Sequence, residues 1–122
     1  MAIVYHITHQ QDWESALESG AYQSPTLAKD GFIHCSTDTQ VLRVANTFYR
    51  GQTDLVLLVI DTDKLAVPIK FEAPINPQTG QPEPEIQELF PHVYGAINLG
   101  AVIKMVPFPP QPDGTFLFPQ IQ

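Results

Sequence analysis

Proline sets the first constraint on this chain, because eleven of its twelve prolines lie at or beyond Pro68. A proline in a helix interior costs about 3 kcal/mol, so helices belong to the first half and strands, turns and loops to the second. Ala2 to Thr8 alternates, with Ile3, Tyr5 and Ile7 on one side and Val4, His6 and Thr8 on the other, which predicts a half-buried strand whose polar row is partly accessible. Thr8 and Gln11 then make a capping-box pattern, followed by Trp13, Ala16 and Leu17 at helical spacing and Gly20 as a left-handed stop. Ser24-Pro25 breaks the chain, and Gly31 to Ser36 reads as a second strand. Thr37 and Gln40 repeat the capping pattern before Val41, Val44, Ala45 and Phe48, which predicts a second helix ending before Gly51.

Between Asp54 and Asp61 the apolar run Leu55 to Ile60 fits a central strand covered on both faces. Asp61 to Leu65 is a turn, Pro68 to Glu72 an edge strand, and Ala73 to Pro84 a polar loop. His92-Val93-Tyr94, Ala101 to Phe108 and Thr115 to Phe118 read as strands, with Asp113-Gly114 favouring a tight hairpin. The layout is α+β, with two helices early and short strands later, and 122 residues suit a single domain over 1–122.

Thirteen acidic against six basic residues give a net charge of −7, the wrong sign for gripping phosphate backbones, so no nucleic-acid partner is expected. Cys35 is the single cysteine, which excludes an internal disulfide and points to a reducing compartment. The opening residues carry no basic leader and no run approaches the roughly 20 apolar residues of a membrane span, so the expectation is a cytoplasmic chain without a membrane. Exposed edges of a small sheet leave a dimer open.

Histidine changes charge near neutral pH, which makes the four histidines the first candidates for chemistry. Alternation places His6 with Thr8, His34 with Phe32 and Ser36, and His92 with Tyr94, so a cleft fed by three strands would collect His6, Thr8, His34, Ser36 and His92. The duller reading is three unrelated histidines satisfied by carbonyls or water. No His-x₃-His or His-Glu-x-x-His spacing occurs, so no metal is expected. Cys35 cannot meet the adjacent His34 across a strand, and it reads as a small buried hydrophobe. The only arginines, Arg43 and Arg50, lie on or just beyond the second helix. Each either reaches a phosphate or carboxylate or belongs to a solvated helix face.

Several of these segments carry a resemblance. Tyr5-His6-Ile7-Thr8, Trp13, Gly20-Ala21-Tyr22, Gly31 to Thr37, Val44 to Gly51, the Asp54 to Asp61 run and Phe90 to Gly95 together look like the bacterial family catalogued as domain of unknown function 952. The first third of the chain, with Tyr-His-x-Thr, a helix bearing Trp, a Gly and then x-x-His-x-Ser, is distantly similar to the RNA 2′-phosphotransferases. That likeness implies an ADP-ribosyltransferase-like fold, two small antiparallel sheets packed face against face with NAD in the split. It maps the two strand histidines of those enzymes onto His6 and His34. The chain departs from their pattern in two ways: Ile7 stands where they have Gly, whose backbone approaches the nicotinamide amide, and two arginines replace several; other members of the fold place a catalytic Glu late in the chain, whereas here no Glu follows Glu88.

The resemblance therefore implies NAD, or another small ADP-ribose-type nucleotide, as cofactor or ligand. His6, Thr8, His34, Ser36, Tyr94 and Arg50 would bind it, and His92 with His34 would act on it, for cleavage or for ADP-ribose transfer. An acid or base at His92 would give a rate limb at about pH 6 to 7.5, around the unperturbed histidine value. The competing expectation is a non-catalytic module of the same fold that binds another small metabolite or a protein.

Overall fold

The computed structural model describes residues 2–74 and 88–119. Its centre is a three-stranded antiparallel sheet in the order β1 (Ile3–His9), β4 (Leu55–Asp61), β8 (Val102–Pro107). The continuous apolar run of β4 occupies the middle position and is buried from end to end. Pairing of Val4 with Ile60, His6 with Leu58 and Thr8 with Val56 puts these six residues on one face. That face carries the larger core, with Trp13 and Ala16 of α1 (Gln10–Ser19) and with Tyr22, Ile33, Val93 and Ile97. The opposite face, bearing Ile7 and Leu57, is covered by Val41 and Ala45 of α3 (Val41–Phe48) and by Phe108 and Phe116. The polar row of β1 is thus on the more enclosed side: His6 and Thr8 are buried, not partly accessible.

A second antiparallel sheet has the order β3 (Ile33–His34), β6 (Phe90–Val93), β5 (Ile69–Glu72), and β2 (Ala21–Tyr22) pairs with β7 (Ile97–Asn98). β3 is shorter than the Gly31 to Ser36 run suggests because the chain changes sheets within it. The Cys35 N–H donates to Pro91 O in the second sheet, while Ser36 exchanges both backbone hydrogen bonds with Tyr5 of β1, at 2.8 and 2.7 Å. This crossing ties the edge of β1 to the second sheet, and the candidate site opens beside it.

Three helices, not two, form in the first half. Ser24-Pro25 starts one instead of merely breaking the chain: Ser24 accepts from the Thr26 N–H, Pro25 fills the first turn where its missing donor costs nothing, and α2 (Pro25–Asp30) ends at Gly31 with φ 84°. The Thr8 capping box does not form; the Thr8 hydroxyl bonds Tyr22, and α1 begins after His9, whose side chain makes no cap. The second box forms in half, with Gln40 Oε1 accepting from the Thr37 N–H at 3.0 Å. Ala73 and Pro74 have no regular structure, and the rest of the Ala73 to Pro84 loop lies outside the described residues.

Thr115 to Phe118 is not a strand. Asp113-Gly114 does turn the chain, and Gln111 N–H donates to Thr115 O at 2.7 Å. The Phe116 N–H is then taken by Asn46 Oδ1 of α3, so a helix side chain, not a strand partner, satisfies this segment. Stacking of Phe116 on Phe108 at 4.8 Å holds it down. Among the described residues no helix is long and apolar enough to cross a membrane.

Gly95 sits where β6 leaves its sheet, at φ 149°, and a Cβ there would stand 2.7 Å from Val67 Cγ1. Gly95→Ala combines backbone strain with a steric clash in a packed segment. Its expected cost is about 2 to 4 kcal/mol in urea unfolding, and a loss under about 0.5 kcal/mol would show that the clash relaxes freely.

Candidate functional site

A cleft of about 590 Å³ runs along the free edge of β1, between the first sheet and the β3–β6 pair. His6, Thr8, His34, Ser36 and His92 all line it. His34 and His92 are direct partners across β3 and β6, which brings their rings to 5.6 Å. Tyr94 and Arg50 do not line it. Tyr94 turns its hydroxyl to Glu72 and its ring to the Lys70 ammonium, 4.9 Å from the ring centre. Arg50 lies beyond the end of α3.

His6 is a strut. Its Nδ1–H donates to His34 O at 2.6 Å, so the neutral ring offers Nε2 to the Tyr22 hydroxyl at 2.7 Å. Thr8 Oγ1 lies 2.8 Å from the same phenol oxygen. Burial pushes the His6 pKa down to about 4, against the pull of the His34 carbonyl, and pushes Tyr22 up to about 12. The His6–Tyr22–Thr8 chain is therefore uncharged at neutral pH and fully used in joining β1, β2 and β3. Sequence alternation finds His6 and Thr8, while Tyr22 escapes it because a two-residue strand has no period to read.

His34 is exposed and bonds Asp30 Oδ2 through Nε2 at 2.8 Å. His92 is nearly sealed, at 1% exposure, with its ring stacked on Phe32 at 3.9 Å. Its Nδ1–H donates to Glu72 Oε1 at 2.9 Å, which leaves Nε2 as the acceptor of the neutral ring. Burial lowers the His92 pKa, and the Glu72 hydrogen bond opposes it. The Tyr94 hydroxyl, then His92, hold the Glu72 carboxyl below its usual range, and Glu72 in turn pushes Tyr94 up to about 12. Glu72 is the partner of a candidate site residue that sequence reasoning misses: Lys70 pairs with His92, so Glu72 is the diagonal neighbour on the same face, a relation that only the β5–β6 register reveals.

The other end of the cleft is apolar, with Tyr5, Val44, Phe48 and Tyr49 on its wall. Phe48 is 70% exposed there. Along the floor, Tyr5 gives both backbone groups to Ser36 instead of β4, so period-two alternation turns the Ile7 N–H and C=O toward the same open edge. The Ile7 side chain packs under α3 with Val41 and Ala45, so it does not obstruct approach to this backbone pair. Cys35 is buried and its thiol is pushed up to about 12, a packing residue and not a nucleophile. Among the described residues no group of three or more His, Cys, Asp or Glu side chains could hold a metal ion.

The family described as protein of unknown function DUF952 matches residues 7–105. The crystal structure of protein CC0527 from Caulobacter crescentus is similar at 28% identity and TM-score 0.78, over 95% of this chain and 94% of that one. A double mutant of the same protein, at 27% identity, superposes with the same TM-score and coverage. Its solution NMR structure gives 29% identity and TM-score 0.75, over 94% of this chain and 91% of that one. No curated protein matches the chain.

Proposed function

We propose, from the premise that this chain belongs to the DUF952 family, that it is an ADP-ribosyltransferase-like domain whose cleft binds the ribosyl end of NAD or of a related ADP-ribose-type nucleotide. One observation carries the reading: a backbone donor–acceptor pair at Ile7 faces the same cleft as the hydroxyl of Ser36 and the imidazoles of His34 and His92. A carboxamide needs such a pair, a ribose needs such hydroxyl and imidazole partners, and a planar ring needs the aromatic wall of Tyr5, Phe48 and Tyr49.

NAD brings an N-glycosidic bond whose cleavage leaves positive charge on the ribose. This chain supplies a neutral imidazole at His92, oriented by Glu72 so that Nε2 is free to accept a proton from a water or an acceptor hydroxyl. The pyrophosphate of NAD is served less well, because no lysine or arginine lines the cleft. That gap favours a second reading, a non-catalytic module of the same fold that takes another small metabolite or a protein.

Thermal unfolding with NAD, ADP-ribose and NADP at millimolar concentration tests the proposal. A ligand at a hundred times its dissociation constant stabilises by about 2.7 kcal/mol, which moves the midpoint by several degrees. No shift with any of the three removes these phosphorylated nucleotides as ligands and favours a smaller metabolite or a protein in the cleft.

A further inference from the structure

The charge around the cleft says more about its ligand than its shape does. The chain has six cationic side chains, Lys29, Arg43, Arg50, Lys64, Lys70 and Lys104, and none of them lines the cleft. Arg43 is engaged by Glu88, and Lys70 lies over Tyr94. Residues 75–87 contain no lysine or arginine in their sequence.

The histidines do not fill the gap. His9 pairs with Asp54 at 3.0 Å, His34 with Asp30 at 2.8 Å and His92 with Glu72 at 2.9 Å, so any proton these rings take up is already answered by a carboxylate. His6 has both nitrogens committed inside the fold. Asp12, in the first turn of α1, lines the cleft as well. Among the described residues Asp12 is therefore the one carboxylate in the lining, with no lysine or arginine beside it, and the aromatic residues Tyr5, Phe48, Tyr49 and Phe90 line the same cleft. Aromatic faces with flanking carboxylates attract a delocalised cation, and a phosphate placed among them would lose its hydration without gaining a counter-charge.

We infer that the ligand is a cationic nucleoside, a ribose bonded to a positively charged planar heterocycle, and that the cleft discriminates against its phosphorylated forms. The inference rests on the reading that the cleft binds a ribosylated ring and narrows it to one charge class.

Isothermal titration of the whole chain with nicotinamide riboside, nicotinamide mononucleotide, NAD and uridine separates the two claims. The riboside, a cation without phosphate, is expected to bind about tenfold or more tightly than the mononucleotide and than neutral uridine. Asp12→Asn, with its folding checked by its melting curve, should weaken riboside binding several-fold and narrow the gap to the mononucleotide. Tighter or equal binding of the mononucleotide or NAD overturns the charge inference and leaves the nucleotide reading standing. Equal binding of uridine overturns the preference for a cation, and an unchanged gap in Asp12→Asn removes the electrostatic cause. If none of the four binds, both the inference and the reading beneath it fail.

Discussion

Acidification from pH 7 toward 4 is expected to remove on the order of 3 kcal/mol of folding stability through His6 alone. The folded His6 titrates at about 4 because its ring is sealed in the core, whereas the unfolded residue returns to 6.5. Between those values the unfolded chain holds the proton and the folded chain does not, so stability is fully present above 6.5, falls at about 1.4 kcal/mol per pH unit, and levels off below the folded pKa. His92, also lowered by burial, adds to the fall with the same sign. Glu72 and Glu88, held below the usual carboxyl value of 4.5, contribute stability that is lost only as the pH falls below that value. The interval above 4.5 thus belongs to the histidines. Urea midpoints at pH 7, 6, 5 and 4.5 should trace this slope, and His6→Gln should flatten most of it while lowering stability at pH 7 by about 1 to 3 kcal/mol through the broken bonds to His34 and Tyr22. An equally steep slope in the variant would place the titrating group elsewhere.

The parts of this molecule that repeat were legible, and the parts that meet across the chain were not. The run Leu55 to Ile60 announces a doubly covered strand because every residue is apolar, and alternation in β1 identifies the two rows correctly. Which row would be buried is not contained in the alternation. Val4, His6 and Thr8 turn inward because α1, Tyr22 and the second sheet lie on that side, and the polar atoms are tolerated there because each finds a partner. Ser24-Pro25 shows the limit of local signals, since the same dipeptide ends a strand or starts a helix according to the residues on its C-terminal side.

The candidate site divides along the same line. His34 and His92 converge because β3 and β6 pair, and both carry strand patterns in the sequence. Asp30 and Glu72, which the two imidazoles bond, sit at the end of α2 and one register step away on β5, and neither has a pattern of its own. Tyr94 shares its strand run with His92 yet passes outside the cleft, because its hydroxyl is drawn to Glu72 on β5. Arg50 is likewise absent from the lining, which removes the guanidinium that a pyrophosphate would need.

His92→Ala is expected to reduce nicotinamide release, from NAD or from its riboside, by about 10²- to 10⁴-fold while changing ligand affinity only a few-fold. The asymmetry follows from burial: at 1% exposure His92 offers little contact area, so its contribution is concentrated in the Nε2 lone pair that accepts a proton. A base works when neutral, so the rate rises with pH through the folded pKa of His92. Desolvation, opposed by the Glu72 hydrogen bond, places that limb below the ordinary 6.5. Glu72→Gln supplies the second test. The Glu72 hydrogen bond and charge raise the His92 pKa, so their loss should move the limb to lower pH and reduce the plateau rate, because a weaker base accepts the proton less readily. A merely structural Glu72 would lower stability without moving the limb. Wild-type turnover in His92→Ala would refute the assignment outright, and an absence of nicotinamide release from the unmodified chain, together with ligand-dependent stabilisation, would identify the domain as a binding module in which Glu72 and His92 only hold the second sheet to the wall of the cleft.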